Sequence, residues 1–136
     1  MKYIMFTDAA TAPVNPGPSG VGIVCYTDNP RKELFRISQF IGHGTNNFAE
    51  YMSLIIGLES AIEYNIKELD VYMDSNLVVK QCNKQWRVKE PSLIPLHNKV
   101  SELKLYFDRI GIFWITRNKN TVADSLSKQA LKEKLY

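Results

Sequence analysis

Thr45-Asn46-Asn47-Phe48-Ala49-Glu50-Tyr51-Met52-Ser53-Leu54-Ile55-Ile56-Gly57-Leu58 is the stretch at which the chain changes period. Before it, apolar residues come in short runs or alternate. From it onward, Leu54, Ile55, Leu58, Ala61 and Ile62 recur at spacings of three and four, which marks an amphipathic helix. Thr45, Asn46 and Asn47 supply capping side chains, and the spacing predicts a helix to about Tyr64. Leu69-Asp70-Val71-Tyr72-Met73 follows as a short strand that ends at Asp74. Strand, helix, strand in that order favours a right-handed crossover and a parallel pairing.

Three strands are predicted upstream. Lys2 to Thr7 is an apolar run closed by Asp8. Ala12 to Gly20 is dense in Pro and Gly and reads as a turn or loop. Val21 to Thr27 is rich in β-branched residues, Asp28-Asn29-Pro30 is a turn, and Leu34 to Ile41 alternates apolar and polar. Short turns between these runs predict an antiparallel meander. Downstream, a helix is expected from Ser75 or Asn76 to about Lys84, a break over Trp86 to Pro91, and a helix over Ile94 to Phe107. Gly111 to Ile115 reads as a fifth strand, and a last helix starts near Asn120 or Thr121. The order β-β-β-α-β-α-α-β-α implies an α/β fold: one mixed five-stranded sheet with helices on both faces, in a single domain over residues 1–136.

Composition excludes several classes. The chain has 136 residues, 45% hydrophobic and 23% charged, which suits one globular core and neither a disordered nor a fibrous chain. The opening apolar run stops at Thr7-Asp8, too short for a signal peptide or a membrane span, so a cytoplasmic protein is expected. Cys25 and Cys82 stand singly, without the paired spacing of a zinc site, and are expected to be reduced, partly buried thiols. His43 and His97 have no sequence partner and are expected at the surface.

Four carboxylates lie where a fold alone would not choose them. Asp8 follows Ile4 and Phe6 on the alternation that should be buried. Glu50 lies four residues before Leu54 and eight before Leu58, on the buried stripe of its helix. Asp74 follows the fourth strand, at the carboxyl end where α/β sheets gather function. Asp124 sits in the first turn of the last helix. Each taken singly also fits a structural role, as a turn residue, a cap or a dipole-stabilised first-turn acid. Taken together, all four sit at element ends that the topology can bring to one rim. Carboxylates in one cleft repel, and divalent cations compensate. All-oxygen ligation suits Mg²⁺ or Mn²⁺, and two such ions about 4 Å apart can activate a water and stabilise a leaving oxygen at a phosphodiester.

These segments resemble a known family. Asp8 with Asn15-Pro16-Gly17-Pro18-Ser19-Gly20, then Thr45 to Glu50, then Asp74-Ser75-Asn76-Leu77-Val78, then Asn120 to Leu126, is similar in order and spacing to type 1 ribonuclease H, over nearly the whole chain. The resemblance implies the ribonuclease H-like fold and hydrolysis of the RNA strand of RNA–DNA hybrids, leaving 5′-phosphate and 3′-hydroxyl ends. It implies two metal ions, Mg²⁺ or Mn²⁺, held by Asp8, Glu50, Asp74 and Asp124. Asn15, Asn47 and Asn76 match positions that contact the hybrid, and Thr45 one near a DNA phosphate. The chain departs from the family in several places, among them a loop from Asp8 to Asn15 one residue longer and Asn76 where the familiar bacterial enzyme has Gln. Asp8 is followed by Ala9-Ala10 rather than Gly-Ser or Gly-Gly, and the basic protrusion between the middle helices is absent. The loop before Asp124 is short and lacks a His, as in the archaeal-type and plant-type subgroup; there Arg117 could be a catalytic helper or a surface Arg.

Net charge is +3, but with the four acids set aside only ten acidic residues face 17 basic ones. Lys80, Lys84 and Arg87 could track a phosphate backbone, with Trp86 beside them, whereas Lys128, Lys132 and Lys134 are expected on a solvated face. The expected partner is an RNA–DNA hybrid read by shape with little sequence preference, with neither membrane nor obligate protein partner, by a monomer. Met1 directly before the first strand favours a free-standing enzyme over a domain fused to a reverse transcriptase. The alternatives are a catalytically impaired hybrid-binding module on the same fold, or another nuclease that shares it.

Overall fold

The computed structural model describes residues 1–135. Its elements run β1 (Lys2–Thr11), β2 (Gly17–Thr27), β3 (Lys32–Gly44), α1 (Asn46–Glu63), β4 (Glu68–Met73), α2 (Asn76–Cys82), α3 (Ile94–Lys104), β5 (Arg109–Trp114) and α4 (Thr121–Leu135). The sheet order is β3-β2-β1-β4-β5. The first three strands are antiparallel, and β4 and β5 run parallel to β1, as the strand–helix–strand order predicts.

The ladder extends further than the sequence reading allows. β1 does not stop at Asp8 but runs on to Thr11, and β2 starts at Gly17, so Ala10 pairs Gly20 and Thr11 pairs Ser19. The Gly17 to Gly20 part of the Pro/Gly-rich stretch is therefore strand, while residues 12–16 form the loop. Pro18 is tolerated because it lies at the start of β2, and its carbonyl accepts from the Ala12 N–H at 3.1 Å. The glycines serve packing. A Cβ on Gly22 would collide with the Ala123 carbonyl oxygen, so a bare backbone there lets α4 lie directly on the sheet.

The helices divide between the two faces. α1 covers the side of β1 that carries Met5 and Thr7, where a Cβ on Gly57 would come within 2.7 Å of the Met5 methyl. Leu54, Leu58 and Ala61 of α1 are fully buried there, together with Val21, Ile23 and Val71 of the sheet. α3 packs outside α1 through Val100 and Leu103. α4 covers the opposite face through Ala123, Leu126, Ala130 and Leu131. Helices on both faces are thus borne out.

Two helix ends differ from the expected ones. α3 stops at Lys104, three residues early, because Tyr106 and Phe107 bond back three residues in a tighter turn that returns Phe107 to the core. α2 stops at Cys82, where Asn83 donates its side-chain N–H to the Ile112 carbonyl at 2.9 Å and Lys84 takes a positive φ of 60°. Cys25 and Cys82 are free and fully buried, deeper than expected. Burial pushes their thiols up to about 12 and about 11. Among the described residues, no helix is long and apolar enough to cross a membrane.

Candidate active site

The parallel ladder between β1 and β4 ends on the pair Thr7 and Met73. The next residue on each strand is an aspartate, Asp8 and Asp74. Glu50 reaches the same point from α1. It lies one turn inside the helix that Thr45 caps, with the Thr45 hydroxyl accepting from the Phe48 N–H at 3.1 Å. One carboxylate oxygen from each of Asp8, Glu50 and Asp74 lies within 4.8 Å of the others.

Asp124 arrives from the opposite face on α4. It neighbours Asp8 closely enough to raise the affinity of Asp8 for a proton, although it stands outside the tight group of three. Gly22 pairs Asp8 across the β1–β2 ladder and sits under Ala123. The same bare backbone that admits α4 therefore brings the fourth acid beside the first.

The electrostatics follow from burial. Asp8 is 3% exposed and Glu50 5% exposed. Burial pushes the Asp8 carboxyl up to about 8, with Asp74 and Asp124 adding to it and a 2.9 Å bond from the Ala9 N–H opposing it. Burial, then the charges of Asp8 and Asp74, raise Glu50 well above the ordinary carboxylate range. Arg117 opposes that rise, which places its charge in the field of the cluster. Glu50 Oε1 is buried with no hydrogen-bond partner. An orphaned carboxylate oxygen beside two further carboxylates fits a hard divalent cation with oxygen ligands.

A cleft of about 410 Å³ opens over the site, lined by Asp8, Ala10, Asn46, Arg117, Asp124 and Lys128 among others. Lys128 is exposed, as a solvated face requires, but it also has a partner at the site. Its ammonium pairs with Asp124 Oδ2 at 2.9 Å, one helical turn along α4. The spacing of four from Asp124 was the available signal. Asn120 carries no signal of that kind. It is 1% exposed, and its Nδ2 donates to the Thr7 carbonyl at 2.9 Å and to Asp74 Oδ2 at 3.4 Å. It thus joins the residue before Asp8, the Asp74 carboxylate and the start of the helix that carries Asp124.

The residues expected to meet nucleic acid lie on the flanks of this site. Asn15 accepts the Asn46 N–H at 3.0 Å and so ties the β1–β2 loop to the start of α1. Asn47, Lys84, Trp86 and Arg87 are exposed, Asn76 is exposed at the start of α2, and Lys80 is half-buried. Asn47, Trp86 and Arg87 line one cleft. His43 is exposed as expected, but His97 is half-buried and bonds the Gln81 carbonyl at 3.1 Å.

A reverse transcriptase-like family model matches residues 6–130. The chain is 40% identical to the bifunctional protein Rv2228c of Mycobacterium tuberculosis over 131 residues, covering 96% of this chain and 36% of that protein. It is 32% identical to the crystal structure of RNase H1 from the halophilic archaeon Halobacterium salinarum, with a TM-score of 0.94 over 98% of this chain and 99% of that one. The chain belongs to the type 1 ribonuclease H family. A further ribonuclease H1 of the family, LC11-RNase H1, was solved in complex with an RNA/DNA hybrid; it is 34% identical, with a TM-score of 0.92 over 98% of this chain and 99% of that one. The chain spans about a third of the length of the mycobacterial relative. In this ribonuclease H family member Asp8, Glu50 and Asp74 form one tight group, with Asp124 alongside Asp8.

Proposed function

We propose that this protein is a ribonuclease H that hydrolyses the RNA strand of RNA–DNA hybrids internally, with little sequence preference, leaving 5′-phosphate and 3′-hydroxyl ends. One observation carries the reading: three carboxylates within 4.8 Å of one another, two of them buried and one with an orphaned oxygen. Such a set is unfavourable without a cation and suited to holding one. Asp8, Glu50, Asp74 and Asp124 would hold two divalent ions, Mg²⁺ or Mn²⁺. When bound, the ions supply Lewis-acid activation of a water and stabilisation of the leaving oxygen.

The chain's own residues do the rest. Asn120 keeps the Asp74 carboxylate and the Asp8 strand end in a fixed relation. Ala9 N–H holds one oxygen of Asp8, leaving the other free to ligate. Arg117, exposed at the rim with its charge acting on Glu50, would steady the scissile phosphate as it gains charge. Asn15, Thr45, Asn47 and Asn76 would contact the hybrid near its 2′-hydroxyls and phosphates, and Lys80, Lys84 and Arg87 its backbone.

The test is cleavage of an end-labelled RNA–DNA hybrid with Mg²⁺ or Mn²⁺, with Asp8→Asn and EDTA as controls. Internal cuts in the RNA strand alone, lost in both controls, are expected. An intact RNA strand with retained hybrid binding would replace the enzyme by a binding module.

A further inference from the structure

Tyr51 follows Glu50 on α1 and is fully buried. A buried phenol needs a partner, and the Tyr51 hydroxyl donates to Gln81 Oε1 of α2 at 2.6 Å, with the Cys82 thiol beside it. Burial pushes the Tyr51 hydroxyl up from its ordinary value, so it stays a donor. Gln81 is itself 4% exposed, and its Nε2 donates onward to the Arg87 backbone carbonyl at 3.4 Å. Upstream the segment is held by Asn83, whose side chain bonds the Ile112 carbonyl, and by the Lys84 N–H on the Gln81 carbonyl; Gln81 Nε2 adds the tie at Arg87, at its far end. Residues 83–87 are all exposed, Lys84 has a positive φ of 60°, and the Gln85 and Trp86 N–H groups share one acceptor, the Lys80 carbonyl.

Between this segment and the start of α1 lies a cleft of about 560 Å³. Asn47 stands on its α1 wall, Trp86 and Arg87 on the other, and Gln81 lines it from below. A side-chain relay that begins one residue from Glu50 therefore reaches the Trp86–Arg87 wall of the cleft.

We propose that Tyr51 and Gln81 are positioning residues that latch the Trp86–Arg87 segment to the catalytic helix and so set the seat of the hybrid relative to the carboxylates. The inference rests on the ribonuclease H reading above. Neither side chain touches the substrate. They act through the Arg87 main chain, which holds the Arg87 guanidinium and the Trp86 ring over the cleft.

Tyr51→Phe keeps the ring and removes only the hydroxyl. One buried hydrogen bond corresponds to roughly a threefold to tenfold change in an equilibrium, so KM for a short blunt hybrid should rise by about that factor. At saturating hybrid, kcat should change less than about twofold, because the carboxylate geometry is untouched. The salt dependence of binding should flatten by up to about one unit of slope as the Arg87 phosphate contact loosens. A second variant separates latch from packing. Tyr51→Phe with Gln81→Met removes both polar partners at similar volume, which should restore melting temperature close to wild type. KM and the salt slope should stay altered in that double variant, because the tie to Arg87 is still gone. A double variant whose KM and slope return to wild type overturns the latch and leaves a structural hydrogen bond. A wild-type protein that cuts no hybrid overturns the ribonuclease reading itself, a distinct outcome.

Discussion

Thr7 and Met73 are the last paired residues of the β1–β4 parallel ladder. Each is followed by an aspartate, so two carboxylates emerge side by side where the ladder ends. Parallel strands have their carboxyl ends together, and no antiparallel neighbour could offer this arrangement. α1 then leans on β1 through the bare Gly57 and delivers Glu50 to the same point.

Asp8→Asn and Asp74→Asn each remove a ligand charge from this group while keeping side-chain shape. Hybrid cleavage should fall about a thousandfold or more, the loss of several kcal/mol of charge stabilisation at the transition state. Calorimetric titration with Mg²⁺ or Mn²⁺ should show correspondingly weakened binding. Cleavage within tenfold of wild type in both variants would remove these residues from the site.

Without a divalent cation the same acids work against the fold. Burial and neighbouring acids push Asp8 from the ordinary carboxylate value up to about 8, and Glu50 is raised too. An acid with a raised folded pKa binds more protons folded than unfolded, so stability is lost as pH climbs. The metal-free protein should lose stability from about pH 4 to about pH 8. Over that window Asp8→Asn should flatten the profile and raise metal-free stability near pH 8 by roughly 1–3 kcal/mol, from relief of desolvation and repulsion. Thermal melts in EDTA across pH read this directly. A wild-type stability that rises over that window contradicts it.

Much of this was legible in the chain because it rests on local periodicity. Glu50 could be placed from its spacing to Leu54 and Leu58, and Asp74 from its position after an apolar strand. The start of β2 could not, since Gly17, Pro18 and Gly20 carry turn chemistry. At Gly20 the reason for a glycine is the close approach of α4, a tertiary contact with Ser127 and Ala130 that a Cβ would block, and at Gly17 it is the Val14 carbonyl. Asn120 was invisible for the same reason. Its partners are Thr7 and Asp74, 113 and 46 residues away, and no local pattern announces a bond of that range. No local pattern gives Tyr51 a role, and only the fold reveals that its hydroxyl reaches Gln81. The exposure of Lys128 was legible from its neighbours Lys132 and Lys134, and its ion pair from the spacing of four to Asp124.

Asn120→Ala should damage both stability and activity. The Thr7 carbonyl would lose a buried donor, which costs about 1–3 kcal/mol. The Asp74 carboxylate would lose the group that orients it, an effect of about 10–100-fold on metal affinity or turnover in comparable outer-shell contacts. Denaturant melts and metal titration should both move. A change in stability alone, with metal binding intact, would make Asn120 a purely structural tie.

Lys128 would compete with a cation for Asp124, since its ammonium sits 2.9 Å from Oδ2. The lysine side chain is 68% exposed, so the pair is weak, about 0.2–1 kcal/mol. Lys128→Ala should therefore lower the metal concentration at half-saturation by up to about fivefold, with little change in melting temperature. Metal titration without substrate isolates this effect from any contact Lys128 makes with phosphate. Unchanged or weaker metal binding would show that the pair does not compete.

Gly22→Ala tests how the fourth acid is delivered. The added methyl would meet the Ala123 carbonyl and the Ser127 N–H, both backbone groups of α4 that cannot rotate away. Overpacking of this kind costs about 1–3 kcal/mol or more, and it can be relieved only by lifting the helix from β2. Lifting α4 carries Asp124 away from Asp8, whereas Asp8, Glu50 and Asp74 stay on β1, α1 and β4 and meet the start of α4 only through Asn120. The variant should therefore melt lower and cleave hybrid more slowly, and it should still bind one divalent ion in calorimetry while losing the second. Loss of both ions would mean that the group of three does not hold a cation without Asp124, and retention of both would mean that α4 accommodates the methyl without moving its acid.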